Sequence, residues 1–170
     1  MAHVSVLLKR LTKLSGLSME TLGEWLLKCA IERGASHYER EFPATLPSDI
    51  PALSDEEIGV ALCGGGLPYE PVYIRAAAQL LSSPQTDDRR LAHLARMERV
   101  EPVLLYVADV AARYASEQHP WLYLREHLNC RRHISTSALP HWSRFVSQTG
   151  ITPFNRGPRI DWLARRELVR

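Results

Sequence analysis

The chain has 170 residues, of which 45% are hydrophobic and 24% are charged, a composition typical of a folded globular protein. This length suits one ordinary domain with room for an appended arm, and it is enough to bury a core without disulfides or a structural metal. No apolar run approaches the roughly 20 residues of a membrane-spanning helix, so we expect no membrane insertion.

The charges are divided unevenly along the chain, although the net charge is only +2. Residues 1–119 hold 12 Lys and Arg against 16 Asp and Glu, whereas residues 120–170 hold nine Arg against three acids. This asymmetry is the one feature of the composition that bears on function, and it fits an ordinary solvated surface as well as an interface. The cysteines Cys29, Cys63 and Cys130 are odd in number and lack framework spacing, which predicts a reduced, cytoplasmic protein.

Residues 1–42 are predicted to form an N-terminal helical hairpin. A first helix runs from Val4 to Ser15 and can end at Gly16 in the left-handed conformation; Ser18 then caps a second helix that reaches about Arg33. The first helix is basic and amphipathic, a pattern found both on anionic membranes and on protein cores. Because its apolar face has no aromatic anchor, we expect it to pack on the core and expose its lysines.

Residues 43–53 contain a proline at every fourth position and are predicted to be a linker over the surface. Residues 54–129 follow as the core helical bundle, opened by a capping box of Ser54 and Glu57. Its helix at 101–114 is apolar on nearly every side and is predicted to be the buried centre.

Residues 130–170 are predicted to be a basic, loop-rich segment with short helices at 140–148 and 160–168. The predicted fold is therefore all-α, an irregular bundle of about eight short helices around a buried central helix. The four segments together suit one globular domain.

No motif in the sequence identifies an enzyme, a metal site or a cofactor. The loop Gly64-Gly65-Gly66 lacks the Lys-Ser/Thr of a phosphate loop, so we expect it to end one helix and permit the next turn. His119, His127, Cys130, His133 and His141 crowd together, but they lack the two tight ligand pairs of a structural zinc site. Asp109 and Arg113 are placed to pair four residues apart or to line a pocket.

The candidate contact residues are C-terminal arginines mixed with aromatic residues. Arginine recognises phosphates and is enriched, like tryptophan, at protein interfaces. The sequence therefore predicts a non-catalytic accessory or adaptor protein that binds a protein partner or itself. The alternative is a nucleic-acid-binding accessory protein that uses these arginines on phosphates. The predicted contacts are Arg131, Arg132, Trp142, Arg144, Arg156, Arg159, Trp162 and Arg166.

Overall fold

The computed structural model describes residues 5–68, 70–114, 119–131, 139–141, 146–148 and 159–161, and it confirms the predicted all-α fold class, a bundle of helices. Seven α-helices lie in these ranges, with a short 3₁₀ helix at Ser36–Tyr38. The helices are α1 (Val6–Ser15), α2 (Met19–Glu32), α3 (Asp55–Cys63), α4 (Pro71–Leu81), α5 (Asp88–Glu98), α6 (Glu101–Tyr114) and α7 (Trp121–His127).

Capping residues set the helix limits where the sequence predicts them. The Ser54 hydroxyl accepts a hydrogen bond from the Glu57 N–H, and the Glu57 carboxylate accepts one from the Ser54 N–H, so the predicted capping box is confirmed. Gly16 ends α1 with φ 71°. Arg99 ends α5 in the same left-handed region, with φ 59°, where a side chain is strained.

Among the described residues, the most completely buried helix is α3, and not the helix at 101–114 that the sequence predicts as the centre. Residues 56–63 are all buried, and α3 packs against α1, α2, α4 and α5. The helix at 101–114 is α6, which packs mainly on α7 and α5. The sequence gives no sign of this burial because α3 begins with three acidic residues. Two of them, Glu56 and Glu57, are buried together with their hydrogen-bond partners.

Asp109 on α6 also pairs with a different residue from the one predicted. The Asp109 carboxylate lies 3.1 Å from Nε of Arg125 on α7 and pairs with it instead of with Arg113. Both side chains of this pair are about half exposed, so the contribution to stability is small.

A two-stranded antiparallel ribbon occurs in the C-terminal segment, where the sequence predicts helices. The strands are β1 (Val146–Gln148) and β2 (Arg159–Asp161), with Ser147 opposite Ile160. The predicted helices at 140–148 and 160–168 are wrong at these residues. Each strand has only three residues, which is too few for the alternation typical of a strand to be recognised in the sequence. The division of the chain into four segments stays a prediction.

Candidate functional site

Most of the predicted contact residues lie outside the described residues. Arg131 is exposed, and Arg159 belongs to β2. The others are Arg132, Trp142, Arg144, Arg156, Trp162 and Arg166, which lie outside the described ranges. Their role in partner binding stays a prediction.

The described members of the His/Cys cluster each bind the chain itself. Nε2 of His119 lies 2.8 Å from the carbonyl oxygen of Thr86, and Nδ1 of His127 lies 2.9 Å from that of Tyr123. His133 lies outside the described residues. Within the described ranges, no group of three His, Cys, Asp or Glu side chains is placed to hold a metal ion.

The two buried thiols are poor nucleophiles. Burial raises the pKa of Cys63 to about 12. Burial also raises the pKa of Cys29 to about 12, and the negative charge of Asp49 adds to the effect. A thiol reacts as the thiolate, and at neutral pH these two hold almost none of it.

Arg33 fastens the proline-rich segment to α2. Its Nε and Nη2 bind the two oxygens of Asp49 at 2.6 and 2.7 Å, and its Nη1 lies 3.1 Å from Asp55. The guanidinium also donates to the carbonyl oxygens of Leu53 and Ile50. Such a bidentate, charge-assisted arrangement fixes both position and direction.

Two further side chains of α2 hold the same segment. Trp25 Nε1 donates to the Ser48 carbonyl at 3.4 Å, and Lys28 Nζ donates to the Pro47 carbonyl at 3.1 Å. We call α2 with residues 47–55 held against it the clamped side. Its polar groups are used within the chain, so it offers little to a ligand.

The surface formed by α1 and α5 is different, because its cations reach the solvent. The N–H of Leu7 on α1 donates to Oε1 of Glu98 on α5 at 2.9 Å, which brings the start of α1 beside the end of α5. We call six of the exposed residues of this surface the basic face. They are Val6, Arg10, Lys13, Arg90, Met97 and Arg99.

The buried carboxylate of Glu57 links the two helices that carry the basic face. Its Oε1 lies 2.6 Å from Nη2 of Arg10 and 3.5 Å from Nη2 of Arg90, and its side chain is only 4% exposed. Burial alone would raise the pKa of Glu57, but the Ser54 N–H, Arg10 and Arg90 outweigh burial and lower it. The carboxylate therefore stays charged and positions two half-exposed guanidinium groups from different helices.

Two large apolar side chains stand among these cations. Val6 is 67% exposed and Met97 is 56% exposed. They flank Leu7 and Glu98, the residues that join α1 to α5. Single exposed apolar side chains are ordinary on protein surfaces, so the feature that distinguishes these two is their position among the cations.

A cavity of about 320 Å³ opens beside this face. Leu8, Val60 and Ala61 give it an apolar floor, and Ser5, Glu98 and Arg99 contribute polar groups. The glycine loop 64–66 forms one wall with backbone alone. The volume is near the lower limit for small-molecule pockets and is sufficient for one side chain of a partner.

Comparison of the chain with protein-family models, with curated proteins and with solved structures found no match. Within the described residues, every helix is too short or too polar to cross a bilayer. The site must therefore be interpreted from its own chemistry.

Sequence reasoning missed the basic face because its residues come from two helices about 80 positions apart. It also directed attention to the C-terminus, since residues 1–119 are acidic on balance. One signal was present: α1 has three cations and no acid. The second half of the surface depends on which helix packs beside α1, and no local pattern specifies that.

Proposed function

We propose that this protein is a non-catalytic binding protein and that its basic face contacts a protein partner. One observation carries the proposal. The described surface of α1 and α5 combines four exposed cations with the exposed side chains of Val6 and Met97. Charged groups give specificity and fast association, and apolar groups that lose water on contact give affinity.

The chemistry of the remaining described groups supports binding over catalysis. Cys29 and Cys63 are buried thiols with raised pKa values, and the imidazoles of His119 and His127 lie against backbone carbonyls. A cytoplasmic location belongs to the same proposal, and it is supported by Cys29, Cys63 and Cys130, which form no disulfide with one another.

A protein partner is favoured over nucleic acid at this face because of its apolar members. Phosphate backbones are bound by cations and hydrogen-bond donors, and bases are bound by aromatic stacking. None of the six residues of the basic face is aromatic. Val6 and Met97 would remain hydrated against phosphates but would be buried against a protein.

Photo-crosslinking tests this function in cells that naturally produce the protein. A benzophenone amino acid replaces Met97 in one variant and Leu122 in a control; Leu122 is 49% exposed and lies on α7. We expect discrete protein adducts from position 97 alone, and their loss when Lys13→Glu is added. The same adducts from both positions would contradict the proposal. Adducts that nuclease removes would favour the nucleic-acid alternative.

A further inference from the structure

We infer that the basic face binds an acidic amphipathic segment of a protein, with carboxylates on Arg10 and Arg90 and an apolar side chain in the cavity beside residues 64–66. This inference rests on the proposed function, because it names the partner chemistry for the same face. It is carried by three features of the described residues: the positioned guanidinium groups, a cavity with an apolar floor and the spacing between them.

The guanidinium groups of Arg10 and Arg90 are positioned before any partner arrives. Both lie on the oxygen of the buried Glu57 carboxylate, yet their side chains are 51% and 48% exposed. Two positive charges therefore share one negative charge, and donors remain on the solvent side. Because the side chains are already held, a partner carboxylate binds them with a smaller loss of side-chain entropy.

The cavity combines an apolar floor, which can receive an apolar side chain, with polar groups from Ser5, Glu98 and Arg99. Its floor of Leu8, Val60 and Ala61 offers no hydrogen-bonding side chain. At Gly65, an added Cβ would meet no atom within 4 Å, so this wall is open on the side-chain direction. The exposed side chain of Met97 on the same face is flexible and polarisable, and such side chains adapt to partners of different shape.

The two subsites are separated by about 8 Å along α1 and about 14 Å along α5, since Ser5 precedes Arg10 by five residues and Arg99 follows Arg90 by nine, at about 1.5 Å per residue. These separations correspond to about five to nine residues of a bound helix or about two to four of a bound strand. The expected ligand thus has an apolar residue and a group of acids at one of these two spacings.

The acidic partner also agrees with the charges of α1. This helix has Lys9, Arg10 and Lys13 and no acid. Two carboxylates beside α1 are used inside the chain: Glu57 binds the arginines, and Glu98 binds the N–H of Leu7. Helix α1 therefore presents cations to an acidic segment, and no acid on this helix repels that segment.

A random-peptide display library tests the inference while the partner is still unidentified. The full chain is immobilised and presented with random peptides of about 16 residues, long enough for four helical turns. We expect the bound pool to be enriched in Asp and Glu and to contain an apolar residue at one of the two spacings. A bound pool with no acidic enrichment, or an empty one, would overturn the inference.

Four variants decide whether the selected peptides use this face, and a fifth tests the cavity. Met97→Glu and Arg90→Ala are expected to weaken binding by about tenfold each. Leu122→Glu and Arg113→Ala make the same chemical changes on α7 and α6 and are expected to leave binding unchanged. Gly65→Leu places a side chain in the open wall of the cavity and is expected to abolish selection for the apolar residue. Circular dichroism of every variant shows whether the fold is kept.

Fluorescence anisotropy with a 20-base-pair DNA duplex, at about 50 and 200 mM salt, distinguishes an acidic peptide from phosphate. Tight duplex binding that Arg90→Ala removes and Met97→Glu leaves unchanged would overturn the inference in favour of nucleic acid. Protein adducts at position 97 without acidic enrichment would leave the proposed function standing and reject the acidic partner. The two failures are therefore distinguishable.

Discussion

Arginine serves opposite purposes on the clamped side and on the basic face. Arg33 binds two carboxylates and two backbone carbonyls, and its side chain is only 15% exposed. Arg10 and Arg90 share one carboxylate and stay about half exposed. The donors of Arg33 are used within the chain, whereas donors of Arg10 and Arg90 remain available to a partner. The availability of a basic surface for binding therefore depends less on its number of cations than on how many of their N–H donors are already used within the chain.

Removing Arg33 tests the closed arrangement and has the largest expected effect. Arg33→Ala leaves Asp49 and Asp55 without their shared cation and frees residues 47–55, so we expect the free energy of unfolding to fall by about 3 kcal/mol. Urea denaturation measures this loss. The matched control is Arg40→Ala, whose side chain is 40% exposed and 3.9 Å from Glu24. It is expected to change stability by about 0.5 kcal/mol or less, and an equal loss in both variants would contradict the comparison.

Two glycines sharpen the same contrast between the packed interior and the open surface. An added Cβ at Gly59 would lie 2.7 to 2.8 Å from three atoms of the buried Leu81 side chain, whereas one at Gly65 would meet nothing. We expect Gly59→Ala to cost about 1 to 2 kcal/mol because the overpacking exceeds the gain in helix propensity.

Gly65→Ala is the control and is expected to change stability by about 0.5 kcal/mol or less. Thermal unfolding of both variants provides the measurement. A stable Gly59→Ala protein would show that α3 and α4 can separate without loss.

Acid unfolding gives the smallest effect. Burial alone would raise the pKa of Asp49, but the hydrogen bonds and charge of Arg33 outweigh it and lower that pKa. A carboxyl with a lowered folded pKa stabilises the protein above its unfolded value of about 4 and loses this contribution as pH falls further.

Urea midpoints between about pH 6 and about pH 3 should therefore decline less steeply in Arg33→Ala than in the unchanged chain. In Arg90→Ala the slope should change little, because Glu57 keeps Arg10 and the Ser54 N–H. Parallel slopes in all three proteins would contradict this account.

The sequence predicts the helices well and their arrangement less well, for physical reasons. Caps and glycines act within a few residues, so the box of Ser54 and Glu57 and the stop at Gly16 are legible. Burial of α3 depends on partners from elsewhere in the chain: the N–H of Asp87 donates to Glu56, and Arg10 donates to Glu57. The acidic residues at the start of α3 therefore suggest an exposed helix, although partners from elsewhere in the chain allow these residues to be buried.

The candidate site illustrates the same limit. The cations of α1 can be found from its own sequence, but the contribution of Arg90 and Met97 requires the packing of α5 beside α1. The arginines that the sequence favoured lie mostly outside the described residues, and their role stays a prediction.

At position 99, the stability of the fold and the binding of a partner favour different residues. Arg99 adopts φ 59°, where glycine is the usual residue, so replacement by glycine should stabilise the protein by about 1 kcal/mol while removing a cation from the basic face. A library selected for heat resistance should therefore accumulate glycine at this position, and one selected for partner binding should retain arginine. Sequencing the survivors of both selections would show whether position 99 is a compromise between durability and recognition.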